Sequence, residues 1–138
     1  MEESVYTRPA MTEDERRTIC RLIAGLLTAD DDFADAERHF LQRIYARFKL
    51  PAEEVAHVVP IADPGEASQA LRALPDGVQA KVMALLVEAA IADGKVDARE
   101  RAFLLVAAAS LGIDPTDIEA RITRRLETMA THGPVSNP

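Results

Sequence analysis

Two acidic stretches of the chain hold residues whose types and spacing could do chemistry. The first has five carboxylates between Asp30 and Glu37 with no basic residue among them, and the second has Asp93, Asp97 and Glu100. Carboxylate oxygens are the ligands that Ca²⁺ and Mg²⁺ prefer in proteins. Like charges this close repel one another, so a bound cation, a solvated turn or local hydrogen bonds must make each stretch tolerable.

Local structure alone explains much of the second stretch. Gly94 can adopt a left-handed conformation after a helix, and Asp97 can cap the helix that follows. Glu100 stands three residues after that cap, which is the spacing of a capping box, and it lies at the positive end of the helix dipole. We therefore interpret Asp97 as a supporting cap.

The aspartates at the start of each stretch are harder to explain. Asp93 and its counterpart Asp30 lie at predicted helix C-termini, where the helix dipole disfavours a carboxylate. Either residue could accept loop N–H groups in an Asx-turn or face a cation. That cation could be an arginine, with Arg38 and Arg101 as candidates, or a divalent metal.

The first stretch keeps a glutamate without its capping partner. Ala34 stands where the second stretch has Asp97, yet Glu37 remains at the position of Glu100. The spacing does not fit a calcium-binding loop, because the twelfth position from either starting aspartate is a leucine and not a glutamate. A weak Ca²⁺ or Mg²⁺ site built from two loops, a charged docking edge and plain loop structure stay open. The candidate metal ligands are Asp30, Glu37, Asp93 and Glu100.

A basic cluster of opposite charge stands near the end of the sequence. Arg121, Arg124 and Arg125 fall within one predicted helix. The cluster is a solvated helix face or a docking surface for an acidic partner, such as the acidic loop of a second copy.

Composition and charge exclude several function classes. The net charge of −7 argues against nucleic-acid binding and against docking on an anionic membrane. No apolar run is long enough to cross a bilayer. Cys20 is the only cysteine, which favours a reducing, cytoplasmic compartment and a core position for this residue. The three histidines are scattered, and we expect His39 to be exposed. No nucleophile, phosphate-binding loop or zinc ligand set has workable spacing, so we expect no catalysis.

The elements that must position these residues are helices. Alanine and leucine dominate the apolar residues, and aromatics are only 4 % of the chain. Helix start signals recur along the sequence, and we predict seven helices in one domain over residues 12–130, with flexible tails at 1–11 and 131–138. The start signals are Thr12 with Glu15, Asp63 with Pro64, Asp76 with Gln79, Asp97 with Glu100, and Asp114 with Pro115.

An internal repeat organises these helices. A shift of 63 residues places 19–59 on 82–122 without a gap. Ala29-Asp30 then meets Ala92-Asp93, and Glu37-Arg38 meets Glu100-Arg101. The pattern predicts an all-α bundle built from two related helix-loop-helix units, related by an approximate two-fold axis.

The unit Ala-Asp-Gly-x-Val-x-x-x-Glu, at residues 92–100 between two apolar helices, resembles the signature of the TerB-like family of bacterial tellurite-resistance and stress proteins. A degenerate copy at residues 29–37 extends the resemblance over about residues 12–130. The resemblance implies a bundle of about seven helices and a non-enzymatic stress-response role. It also implies protein partners and acidic positions that bind metal.

Two functions follow from these observations. The first is a TerB-like stress-response module that works through protein contacts, with no certain cofactor but a weak divalent-cation site at the acidic loops. The second is a plain interaction adaptor without metal that uses a groove between helices. We expect a protein partner in either case, no nucleic acid and no membrane insertion, and self-association stays open.

Overall fold

A computed structural model describes residues 11–28 and 35–132 of the chain. Within these ranges all regular structure is helical, in seven helices, which confirms the predicted all-α class. The helices are α1 (Glu13–Leu27), α2 (Asp35–Arg47), α3 (Ala52–Val55), α4 (Pro64–Arg72), α5 (Asp76–Ala90), α6 (Ala98–Ser110) and α7 (Pro115–His132).

The helix boundaries carry the same offset as the sequence repeat. Both ends of α1 and α2 recur 63 residues later as the ends of α5 and α6, and α7 begins 63 residues after α3. Superposition of the two units in space, and the two-fold axis between them, stay predictions.

The core is made of aliphatic side chains from α1 and α5, with α6 packed against both of them. Eight residues of α1 and seven of α5 are buried, so these two helices form the centre of the bundle. Phe103 and Leu104 of α6 and Leu41 of α2 add to the same core, and Phe40 of α2 is partly buried against it. Cys20 is fully buried within it.

A close backbone contact fixes the segment between α3 and α4 against α1. The Ile61 N–H donates to the Arg21 carbonyl oxygen at 3.0 Å, and the Arg21 Nε donates to the Val59 carbonyl oxygen at 2.8 Å. Gly25 lies at this contact, and a Cβ there would overlap the backbone of Ile61. The glycine is therefore required by space, since its side-chain position is filled by another part of the backbone.

Most predicted helix starts are confirmed, and one is wrong. Thr12 and Asp97 form capping boxes, and Asp63 accepts the Glu66 N–H at 3.0 Å. Asp76 is not the cap of α5, because extended Pro75 occupies the cap position and makes no side-chain capping bond. Asp76 lies in the first turn instead, where the helix dipole favours an acid.

Gln79, which the sequence pairs with Asp76 as a start signal of α5, has another role. The Gln79 side-chain amide donates to the Leu74 carbonyl oxygen at 2.9 Å and to that of Arg72 at 3.3 Å. It therefore satisfies carbonyl groups that the end of α4 leaves without helical partners.

The last helix begins after Asp114, whose side chain accepts the Thr116 N–H at 2.8 Å, and it ends at His132, close to the predicted end at about residue 130. None of the helices in the described ranges combines the length and the apolar character that a membrane span requires.

Candidate functional site

Two buried glutamates meet between α2 and α6. Glu37 lies in the first turn of α2 and is 3 % exposed, and Glu100 lies in the first turn of α6 and is 2 % exposed. Their carboxyl groups lie close enough to share a hydrogen bond. These are the two glutamates that the repeat places at matching positions, so the structure brings together one candidate residue from each unit.

The backbone of the turn before α6 fixes the position of Glu100. The Glu100 N–H donates to Asp97 Oδ1 at 2.8 Å, and the Asp97 N–H donates to Glu100 Oε1 at 3.3 Å. This is the predicted capping box, and it confirms Asp97 as the supporting cap. Because one carboxylate oxygen of Glu100 is held by the turn, its other oxygen is left for other partners.

The pair retains a proton. A hydrogen bond between two carboxyl groups requires an O–H on one of them, and two buried like charges would repel strongly at low effective dielectric. Burial, the hydrogen bond with Glu37 and the negative charge of Glu37 raise the pKa of Glu100 from 4.5 to about 9. At neutral pH the pair therefore keeps one proton, shared between the carboxyl groups of Glu100 and Glu37.

The meeting of the two glutamates is not evident from either acidic stretch read separately. Glu37 has no capping partner in sequence, and its burial opposite Glu100 accounts for its presence. The signal that could have found the contact is the repeat itself. An approximate two-fold axis would place equivalent residues near the axis opposite one another.

Of the two aspartates that begin the acidic stretches, the structure describes only Asp93. Asp93 Oδ1 accepts the Lys95 N–H at 3.2 Å, which is an Asx-turn, so local structure explains this residue. Asp30, its counterpart, lies outside the described residues. Arg101, one of the predicted cation partners of Asp93, instead forms an ion pair with Glu119.

The pair has the donor chemistry of a hard-cation site but few donors. Its oxygens suit Mg²⁺ or Ca²⁺, and Mg²⁺ is often held by one or two carboxylates with water completing the shell. Among the residues that the structure describes, no three His, Cys, Asp or Glu side chains are grouped closely enough to enclose a metal. Glu37 and Glu100 would therefore hold a cation only together with water or with further donors.

The basic cluster of α7 is divided between structure and surface. Arg125 forms a two-pronged ion pair with Glu88 of α5, with Nε and Nη2 at 2.6 and 2.9 Å from the carboxylate oxygens. Arg121 and Arg124 are exposed. Arg125 therefore joins two helices, and only Arg121 and Arg124 are positioned for docking.

A groove runs between α2, α5 and α7. Its volume is about 380 Å³, and its floor includes Phe40, Ile91 and Met129. Arg43 stacks over the Phe40 ring, 5.6 Å from its centroid, at the edge of the groove. His39 is exposed, as predicted, and lines the same edge.

Cys20 is a core residue and not a nucleophile. It is fully buried, and burial raises the pKa of its thiol to about 11. A thiol with such a pKa is almost entirely protonated at neutral pH, and a protonated thiol is a poor nucleophile.

Comparison with known proteins agrees with this architecture. A search of curated proteins and a search of solved structures each gave no match. A family model described as "Tellurite resistance protein TerB" matches residues 16–122, which span α1 to α6, both acidic stretches and the first part of α7. The match covers more than half of the chain and includes both Glu37 and Glu100, and the chain therefore belongs to the TerB family.

Proposed function

We propose that this chain is a non-catalytic module of a chemical-stress response of the tellurite-resistance type, acting through protein contacts. We further propose that the buried pair of Glu37 and Glu100, with the adjoining acidic residues, binds a hard divalent cation. The observation that carries the proposal is the buried contact between Glu37 and Glu100, one from each unit. Family membership supports the stress-response setting.

A buried pair of carboxyl groups is costly unless something neutralises it. Burial of an unpaired charge is strongly unfavourable, and packed aliphatic side chains at both positions would stabilise a bundle at least as well. In the metal-free chain a proton shared by Glu37 and Glu100 serves this purpose. Mg²⁺ or Ca²⁺ would supply positive charge to the same oxygens, and its binding would release that proton.

The residues proposed to hold the cation are Glu37 and Glu100, with Asp93 at the turn before α6 and with Asp30. Asp97 supports Glu100 through the capping box and is not proposed as a ligand. The Asx-turn of Asp93 occupies only Oδ1, so its other oxygen is left for water or metal. Asp30 enters the proposal from sequence alone.

The metal part of the proposal is tested by thermal unfolding. Melting temperatures are compared in EDTA and in millimolar Ca²⁺ or Mg²⁺, for the wild-type chain, Glu37→Gln and Glu100→Gln. At a hundredfold excess over the dissociation constant, a cation that binds only the folded chain stabilises it by about 2.7 kcal/mol, which shifts melting by several degrees. Both variants should lose the shift.

Glu127→Gln is the matched control, because it removes the same charge from an exposed position on α7. This variant should keep the full shift. Equal melting of the wild-type chain in EDTA and in every divalent cation tried would refute the cation site. The same result would leave Glu37 and Glu100 as a proton-sharing contact between the units.

The groove between α2, α5 and α7 favours the second candidate, an interaction adaptor without metal. It is about 380 Å³ in volume and combines an apolar floor with charged edges, which suits a protein segment. Arg121 and Arg124 add exposed positive charge on α7. Phe40→Ala should abolish recovery of a partner from the native cell if the groove binds it, and Arg121→Glu with Arg124→Glu should do so if the basic face binds it.

Charge reversal of Arg125 is unsuitable for this test, because it would also break the ion pair with Glu88. A partner retained by both sets of variants would count against the groove and the basic face alike. A melting shift with Mg²⁺ that is unaffected by Phe40→Ala would separate the cation site from the adaptor surface.

A further inference from the structure

A recess with a strongly positive lining lies at the end of α2 opposite Glu37. Its volume is about 330 Å³, and it is distant from the glutamate pair by about ten residues of helix, or roughly 15 Å. Three parts of the chain converge on it, namely the start of α1, the end of α2 and the second turn of α5. Its lining residues are Met11, Arg16, Arg47, Phe48, Lys49 and Lys81.

The concentration of positive charge there is unusual for an acidic chain. The chain has a net charge of −7, yet four of these six lining residues are cationic and none is acidic. Arg16 donates to the Met11 carbonyl oxygen at 2.6 Å, which holds its guanidinium at the recess. Within residues 11–28 and 35–132, no ion pair engages Arg47, Lys49 or Lys81.

Lys49 occupies a backbone position that ordinarily belongs to glycine. Its φ is +56°, in the left-handed region, and it follows the last turn of α2. The Lys49 N–H donates to Ala46, and the Leu50 N–H donates to Tyr45, which closes the helix end. At the matching position of the second unit the chain has Gly112, with φ of +79°. The left-handed conformation is more costly for a lysine than for the glycine at the matching position, so local folding does not explain a lysine at residue 49.

Of the two further cations, only Arg16 lies where the dipole of its own helix disfavours positive charge. Arg16 lies in the first turn of α1, and Lys81 lies in the second turn of α5. Helix N-termini carry partial positive charge and favour acids, as the Glu13 to Glu15 run of α1 illustrates. Arg47 alone has a helical reason for its charge, because it lies in the last turn of α2. No acidic side chain lines the recess to balance the remaining cations.

We propose that this recess binds a small soluble oxyanion of the phosphate class that carries at least two negative charges. Arg16 and Arg47 supply guanidinium donors, and Lys49 and Lys81 supply ammonium groups, which are the side chains that bind phosphate oxygens. Met11 and Phe48 give the recess an apolar wall.

A soluble ligand fits this chain better than a lipid headgroup. The overall charge of −7 opposes approach to an anionic membrane, whereas a small dianion responds mainly to the local positive field. The site shares no residue with the Glu37–Glu100 pair, so the two proposals stand or fall separately.

Isothermal titration calorimetry on the full chain tests this site, with inorganic phosphate and pyrophosphate as probes in a low-salt chloride buffer. Pyrophosphate should bind more tightly than phosphate, and its affinity should fall as NaCl is raised. Lys81→Gln should weaken pyrophosphate binding at least tenfold. Lys95→Gln is the matched control, because Lys95 is the one lysine outside the recess, and its affinity should equal that of the wild-type chain.

Lys49→Gly separates binding from folding. It removes the ammonium group and the backbone strain together, so it should raise the melting temperature while it weakens pyrophosphate binding at least tenfold. No measurable binding by the wild-type chain would overturn the proposal. Equal weakening by Lys81→Gln and Lys95→Gln would also overturn it, and so would binding to vesicles of anionic phospholipid without binding to pyrophosphate.

Discussion

Replacement of Glu100 by glutamine removes the ionisable group of the buried pair but keeps its shape and a hydrogen-bond donor. In the wild-type chain Glu100 and Glu37 share a proton, and burial together with the neighbouring Glu37 raises the pKa of Glu100 from 4.5 to about 9. The unfolded chain releases this proton at a much lower pH. The folded chain therefore binds more protons than the unfolded chain between these values, and its stability must fall as pH rises.

The size of this effect follows from the two pKa values. The contribution is fully present below pH 4.5 and is lost as the pH rises through about 9. The steepest possible slope for one proton is about 1.4 kcal/mol per pH unit, so the wild-type chain should lose about 3 kcal/mol between pH 5.5 and pH 8. Glutamine stays neutral throughout, and Glu100→Gln should lack this loss.

Urea unfolding followed by circular dichroism measures the difference directly. Wild-type, Glu100→Gln and the exposed control Glu127→Gln are compared in EDTA at pH 5.5, 6.5, 7.5 and 8.5. The free energy of unfolding of Glu100→Gln should lie within about 1 kcal/mol of wild type at pH 5.5, because one neutral hydrogen-bonded group replaces another. At pH 8.5 the variant should be the more stable protein, and Glu127→Gln should follow wild type throughout.

Parallel pH profiles for wild-type and Glu100→Gln would refute the reasoning. They would mean that Glu100 has the same protonation state folded and unfolded, so that no proton is shared with Glu37. A variant less stable by a constant amount would mean that the contact is structural and the charge irrelevant.

Three further outcomes follow from the packing. Gly25→Ala should lower the free energy of unfolding by about 1–3 kcal/mol, because the added methyl group overlaps the Ile61 backbone. Urea unfolding measures the loss. An unchanged free energy of unfolding would show that the segment around Ile61 moves away without cost. Lys49→Gly should raise the free energy of unfolding by about 1 kcal/mol, through relief of the left-handed strain, and a lower value would contradict that strain. The thiol of Cys20, buried and with its pKa raised to about 11, should react with a chromogenic disulfide reagent at pH 8 only after denaturation; rapid reaction of the folded chain would contradict its core position.

The sequence was informative wherever structure is decided locally. Capping boxes use residues three apart, so Thr12–Glu15 and Asp97–Glu100 could be read directly and are confirmed. The 63-residue repeat predicted helix boundaries that recur at that offset. The prediction that Asp76 caps α5 was wrong, because Pro75 occupies the cap position and Asp76 is the first residue of the helix.

Contacts between distant helices could not be read in the same way. Glu37 was identified as a glutamate without a local reason, but its meeting with Glu100 depends on how α2 packs beside α6. The ion pair between Glu88 and Arg125 likewise joins residues far apart in the chain. The positive recess forms where three separate helices converge, which the sequence does not reveal. The one sequence signal is that the repeat has Gly112 at the position that matches Lys49.

The most direct test of the central proposal is carbon-13 NMR of the glutamate side-chain carboxyl groups across a pH titration. In EDTA the Glu100 carboxyl should titrate between pH 8 and 10, and saturating Mg²⁺ or Ca²⁺ should displace its proton and abolish that titration step. A Glu100 carboxyl that titrates near pH 4.5, like an exposed glutamate, would contradict the shared proton. A step near pH 9 that persists unchanged in saturating cation would contradict the cation site.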